Sequence, residues 1–125
     1  MNMPVRRHED LEVYRLSFEL AMEIFDISKR FPIDEKYSLT NQIRRSSRSV
    51  SANIAEAFRK RRYPNSFILK LSDSETEAAE TQVWLQFASG CNYLSPELYK
   101  DLYSRYDQLI GKIINLMRTA DKWKL

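Results

Sequence analysis

The chain is poor in the residues that make tight turns and in those that make reactive sites. Across 125 residues it has two glycines, Gly90 and Gly111, and four prolines. An all-β or doubly wound fold draws on many such turns, so a few long helices are the economical reading. One cysteine, Cys91, excludes an intramolecular disulfide; with the single histidine, His8, it cannot supply the four ligands of a structural zinc site. A chain of this length can bury a real core as one domain, residues 1–125.

Long apolar runs are also missing. Near the start, Arg6 and Arg7 lead straight into His8, Glu9 and Asp10, without the apolar stretch that follows the basic start of a signal peptide. The least charged later run, Thr81 to Pro96, contains Gln82, Gln86, Ser89 and Asn92 and is unsuited to crossing a membrane. The expectation is a cytoplasmic protein with no membrane role.

Catalytic constellations are equally scarce. No Glu-x-x-His pair of the di-iron bundles occurs. Asp73, Glu77 and Glu80 share a helical face that could hold a divalent cation, but a solvated acidic face is the simpler reading. Cys91 reads as packing and His8 as an exposed residue of the first turn. Without a second histidine, the arginine-and-histidine sites of some RNA-cleaving helical bundles cannot form, and no nucleophile stands with a base. The chain is expected to be no enzyme and to carry no metal or cofactor.

What is present is helical periodicity. Four segments are predicted, over residues 8–30, 38–62, 65–89 and 96–122, joined by short connections that make successive helices antiparallel: an all-α, up-and-down four-helix bundle. The first, stopped before Pro32, places Leu11, Tyr14, Phe18, Ala21 and Phe25 on one side and Val13, Leu16, Leu20, Ile24 and Ile27 on the other. Two apolar stripes imply cover on both sides, one of them from another subunit. The second, opening with Ser38 as N-cap, has Leu39, Ile43, Val50, Ile54 and Phe58 as its core face. Its many small residues, among them Ser46, Ser47, Ser51, Ala52 and Ala55, suit close approach of a neighbouring helix.

The third segment turns Phe67, Leu71, Ser74, Ala78, Leu85 and Ala88 inward, leaves Leu69, Trp84 and Phe87 to the side, and meets Gly90 as a natural stop. The fourth has Ser95 as N-cap, Pro96 at its first position and a stripe of Leu98, Leu102, Leu109, Ile113 and Leu116. Tyr99, Tyr103, Ile110, Ile114 and Met117 widen that stripe, which again points to a subunit contact.

Charge is the feature that points outward. The net charge is only +3, but from Gln42 to Arg62 seven cations (Arg44, Arg45, Arg48, Arg59, Lys60, Arg61, Arg62) face Glu56 alone. From Tyr63 to Tyr99, Lys70 faces five carboxylates. On a continuous helix Arg44, Arg45, Arg48 and Arg59 fall within an arc of about 100° opposite the apolar stripe. Such a ridge fits phosphate backbones, whose counterions are released on neutralisation. It equally fits a solvated face, or one that meets the acidic third segment of its own or a neighbouring subunit. Tyr63 beside it could stack a base. Asn53 and Glu56, on the flank of a helix with small or apolar neighbours, are expected to hydrogen-bond within the bundle or pair with an arginine.

Glu9-Asp10-Leu11-Glu12-Val13-Tyr14, Tyr37-Ser38-Leu39-Thr40-Asn41-Gln42-Ile43-Arg44-Arg45 and Ala52-Asn53-Ile54-Ala55-Glu56 together resemble the bacterial four-helix-bundle proteins called 23S rRNA intervening-sequence proteins. Ser72, Ser74, Glu75, Glu77, Thr81-Gln82 and Tyr93-Leu94-Ser95 extend the resemblance over nearly the whole chain. It implies a homopentamer, and by analogy with relatives in diversity-generating retroelements a basic surface for nucleic acid and a protein partner. Where that family often has proline before and glycine after Ala-Asn-Ile-Ala-Glu, this chain has Ser51 and Ala57, which predicts a straighter second helix. The leading expectation is a non-catalytic homo-oligomer that binds RNA through Arg44, Arg45, Arg48, Arg59, Lys60, Arg61 and Arg62. The alternative is a protein-interaction scaffold with no nucleic-acid role.

Overall fold

A computed structural model describes residues 5–124, and among them there is no strand. The long helices are α1 (Glu12–Ser28), α2 (Leu39–Arg59), α3 (Pro64–Gly90) and α4 (Pro96–Arg118), followed by a single turn, α5 (Ala120–Trp123). α2 packs on α1 and α3, α3 on α4, and α4 closes back on α1, as in a four-helix bundle. Among the described residues no helix is long and apolar enough to cross a membrane.

The helix ends shift from the predicted limits, each for a local reason. Residues His8–Asp10 form a separate 3-10 turn, because the Asp10 carboxylate accepts from the backbone N–H groups of Arg6 and Arg7 and Leu11 is extended. α1 therefore starts at Glu12, and it stops at Ser28, beyond which Lys29, Arg30 and Phe31 donate to carbonyls three residues back. His8 is half-buried rather than exposed, set edge-on against the Tyr14 ring at 4.7 Å. Ser38 does not cap α2 through its own hydroxyl. That hydroxyl donates to Glu35 Oε1 at 2.6 Å, and the same carboxylate accepts from the Leu39 N–H. α2 ends at Arg59, three residues early, and the final segment breaks at Thr119.

The stop after α3 lies at Asn92, not at Gly90. Gly90 is still helical, and Asn92 takes the left-handed conformation (φ 63°). With the Tyr93 N–H donating to Ala88 O at 2.8 Å and the Asn92 N–H to Ser89 O at 3.0 Å, this is a Schellman ending with asparagine in the role glycine usually fills. Ser95 and Pro96 open α4 as their residue types predict, the serine hydroxyl accepting from the Leu98 N–H at 3.1 Å.

The core follows the periodicity. Ile24, Ile43, Val50, Ile54, Phe58, Leu71, Leu85, Leu102 and Ile113 are fully buried. So is Tyr106, which the stripe on α4 did not single out. The small residues of α2 act as predicted on two sides: Ser51 Oγ meets Ser17 Oγ of α1 at 2.8 Å, and Ser46 Oγ meets Thr81 Oγ1 of α3 at 2.8 Å. Ser74 Oγ donates to Val50 O at 2.8 Å. These bonds require close helices and leave no buried α2 serine hydroxyl in search of a proton acceptor. On the far side, Gln82 donates to Asp107 at 2.8 Å, and Arg105 of α4 reaches Glu23 of α1.

Uncovered apolar surface is distributed differently from the expectation. On α1, Phe18 and Met22 are 52% and 47% exposed. Tyr99, Tyr103, Ile110, Ile114 and Met117 on α4 are half-buried within the chain itself. The second uncovered stripe lies instead on α3, at Leu69, Val83 and Phe87.

Tyr93 ties the end of α3 to the turn before α2, donating to Glu35 Oε2 at 3.0 Å. That hydrogen bond to a carboxylate is the main reason its phenol is pushed up from 10.0 to about 12. A raised folded-state value favours the protonated form, so this contribution to stability is full below pH 10 and is lost as pH rises toward about 12. Urea-denaturation midpoints measured between pH 9 and 12 should fall more steeply for the native chain than for Tyr93→Phe. Parallel curves would contradict the assignment.

Candidate nucleic-acid interface

α2 is continuous from Leu39 to Arg59, as the absence of the internal proline predicts, so its basic residues share one side. The ridge is nevertheless divided. Its outward face between Arg48 and Arg59 is occupied by Ala52 and Ala55, an interval of about 16 Å along the helix axis.

The N-terminal half of the ridge is largely engaged within the chain. Arg45 places Nη2 3.0 Å from both carboxylate oxygens of Glu80 and Nη1 3.8 Å from Glu77, so it meets its own acidic α3. Asp73 in turn approaches Lys70 at 4.0 Å. The acidic face of α3 is thus paired with cations rather than simply solvated. Burial, and then the neighbouring Glu80, hold the Glu77 carboxyl above the usual carboxylate range. Arg44 turns toward α1: its Nε donates to Ser28 Oγ at 2.7 Å and its guanidinium lies 4.7 Å from the Phe25 ring centre. Arg48 and Lys29 approach the same ring at 5.6 and 4.6 Å. Arg44, Arg45 and Arg48 line an open groove of about 650 Å³ with Lys36 and Tyr37.

The C-terminal half is different. Arg59, Lys60, Arg61 and Arg62 follow one another at the corner between α2 and α3, and none has a carboxylate partner among the described residues. Arg61 folds back over the Phe58 ring at 3.8 Å and donates to Phe58 O at 2.9 Å. Burial, and then the charges of Arg59 and Arg62, lower its affinity for its proton. Arg59, Lys60 and Arg62 are exposed. Beside them Tyr63, 61% exposed, presents a free aromatic face at the start of α3. Uncompensated like charge of this kind is relieved by an anion, and the aromatic neighbour offers a stacking surface.

The two flanking polar residues have structural partners. Asn53 donates to Ser49 O at 2.9 Å, on its own helix, and Glu56 pairs with Lys70 at 2.9 Å, a lysine rather than an arginine. Among the described residues no three His, Cys, Asp or Glu side chains gather as a metal site, and Cys91 is exposed rather than packed.

Among the described residues the helical bundle thus carries one paired and one unpaired cluster of cations along and beyond α2. The model of the 23S rRNA-intervening sequence protein family matches residues 9–115, and the chain belongs to that family. A crystal structure of a protein of unknown function from the S23 ribosomal protein family of Bacteroides thetaiotaomicron has the same fold. It is 29% identical, with a TM-score of 0.77, covering 85% of this chain and 95% of that one. A search of the curated proteins finds no match.

The division of the ridge predicts unequal stability effects at its two ends. Arg45→Ala removes the cation facing two carboxylates and should destabilise the fold by about 1 kcal/mol, a value kept small by solvent screening. Arg59→Ala and Arg62→Ala should stay within about 0.5 kcal/mol of the native chain. Urea denaturation distinguishes them, and equal losses at all three positions would contradict the division.

Proposed function

We propose that the chain is a non-catalytic, cytoplasmic homo-oligomer, a homopentamer by its resemblance to the family, that binds RNA. Phosphate contacts centre on the α2–α3 corner. The observation that carries this reading is the run Arg59, Lys60, Arg61 and Arg62, left without carboxylate partners beside the exposed Tyr63. Arg48 and Lys36 extend the basic surface toward the other end of α2. Arg44 and Arg45 help chiefly by their charge, since their guanidinium groups are held by Ser28 and by Glu77 and Glu80. The scaffold alternative draws on the same surface: an acidic protein would meet the same cations, and retention of a protein partner after nuclease treatment would favour it.

Titration of RNA at several salt concentrations tests the reading. Each phosphate neutralised on a single strand contributes roughly 0.7 to the slope of log affinity against log salt. Replacing Arg59, Lys60 and Arg62 together by alanine should therefore lower the slope by about 2 and weaken binding at low salt. No binding at low salt, or an unchanged slope in the triple variant, contradicts it.

A further inference from the structure

The groove at the start of α2 has the lining of a phosphate site, yet one of its cations is already taken. Lys36, Arg44, Arg45 and Arg48 stand around it with the exposed Tyr37, and no carboxylate lines it among the described residues. Arg45 is held from outside the groove. Glu77 and Glu80 lie one turn apart on α3, and Arg45 faces both, with Nη2 3.0 Å from each Glu80 oxygen and Nη1 3.8 Å from Glu77. Two carboxylates against one cation leave the trio net negative. A phosphate approaching Arg45 meets that charge at close range, where like charges repel strongly.

One side of this clasp is poorly satisfied. Both Glu80 oxygens accept from Arg45, whereas Glu77 Oε2 is buried and accepts no hydrogen bond among the described residues. Burial, and then Glu80, raise the affinity of Glu77 for a proton; Arg45 opposes them, and Asp73, which stands beside Lys70, adds to them. On the α4 flank of α3, Asp107 bonds to Gln82 instead. A proton therefore enters the cluster at Glu77, and its arrival turns the trio from net negative to neutral.

We infer that the groove is a second phosphate site, masked by Glu77 and Glu80 and opened when those carboxylates lose their charge. Its ligand is a phosphate of the same nucleic acid that the α2–α3 corner binds, so the inference rests on that reading and adds its regulation. About 16 Å along α2 separates Arg48 from Arg59, so one strand can reach both. At neutral pH the two carboxylates occupy the donors that a phosphate would use, and the corner alone is available. Once Glu77 is neutral, Arg45 keeps one carboxylate partner and can turn its remaining N–H groups to a phosphate drawn in by Arg48 and Lys36. Linkage makes the effect reciprocal: nucleic acid lying in the groove favours the protonated Glu77, so its binding takes up protons. The salt bridge that ties α2 to α3 thus also keeps this end of the ridge silent.

Salt-dependent RNA titration of charge-neutral variants tests it. Glu77→Gln combined with Glu80→Gln keeps the shape of the clasp and an acceptor on each side chain, and circular dichroism checks that the bundle is intact. At neutral pH this variant should steepen the slope of log affinity against log salt by about 0.7, one further phosphate on a single strand, and bind more tightly at low salt. Adding Arg45→Ala should return the slope to the native value, while Arg45→Ala alone should leave the native slope unchanged. Glu97→Gln with Asp121→Asn removes the same charge from exposed positions on α4 and α5 and should leave the slope where it was. The native chain supplies a second readout: calorimetry of RNA binding in two buffers of different ionisation enthalpy, near pH ~5 in the carboxylate range, should show net proton uptake. An unchanged slope in the glutamine variant, a gain that survives Arg45→Ala or is matched by the control, or binding without proton uptake overturns the masked site and leaves the corner reading intact. Absence of RNA binding by the native chain at low salt overturns that reading and the inference with it.

Discussion

The bundle depends on how closely α2 can be approached from both flanks. Ile43, Val50, Ile54 and Phe58 fill the centre, but the spacing of the helices is set by Ser46 and Ser51, whose hydroxyls meet Thr81 of α3 and Ser17 of α1 at 2.8 Å. A larger side chain at either seam would push a helix outward and strip buried polar groups of their bonds, at a cost of about 1 to 3 kcal/mol for each. With α1 and α3 held in this way, the outward side of α2 is the one long surface of that helix left for other work.

Charge on that surface sorts itself by reach. Arg45 sits on the α3 flank and finds Glu77 and Glu80; Arg44 and Arg48 sit on the α1 flank and lie against Phe25. At the end of α2 and in the turn into α3, Arg59, Lys60, Arg61 and Arg62 meet no carboxylate among the described residues. The result is a fold in which Arg44 and Arg45 are hydrogen-bonded within the chain, while the cations at the α2–α3 corner have no carboxylate beside them. The same geometry that stabilises the bundle therefore localises the unpaired cations at that corner.

The four helices, their core faces and the family were legible in the sequence, because periodicity at Ile43, Val50, Ile54 and Phe58 or at Phe67, Leu71 and Ala78 reports burial directly. Periodicity does not report rotamers or which of two neighbours a long side chain reaches. Arg44, Arg45, Arg48 and Arg59 accordingly read as one ridge, and Arg45 could not be separated from Arg59. Glu35 capping α2 in place of Ser38, and Asn92 rather than Gly90 ending α3, depend on turn geometry in which several residue types compete. The ties from Arg105 to Glu23 and from Gln82 to Asp107 join residues far apart in sequence and have no local signature. Leu69 and Phe87 were legible as lying off the core face of α3, but their common exposed side with Val83 was not, because polar residues such as Thr76 and Glu80 interrupt it.

In the proposed function the unpaired corner, rather than the paired half of the ridge, meets nucleic acid. Photocrosslinking to RNA carrying 4-thiouridine, followed by mapping of the modified peptides, examines it most directly. Crosslinks concentrated on Tyr63 and the peptides flanking it are the predicted result. Crosslinks confined to the Lys36–Arg48 groove, or none at RNA concentrations that saturate binding, would contradict it.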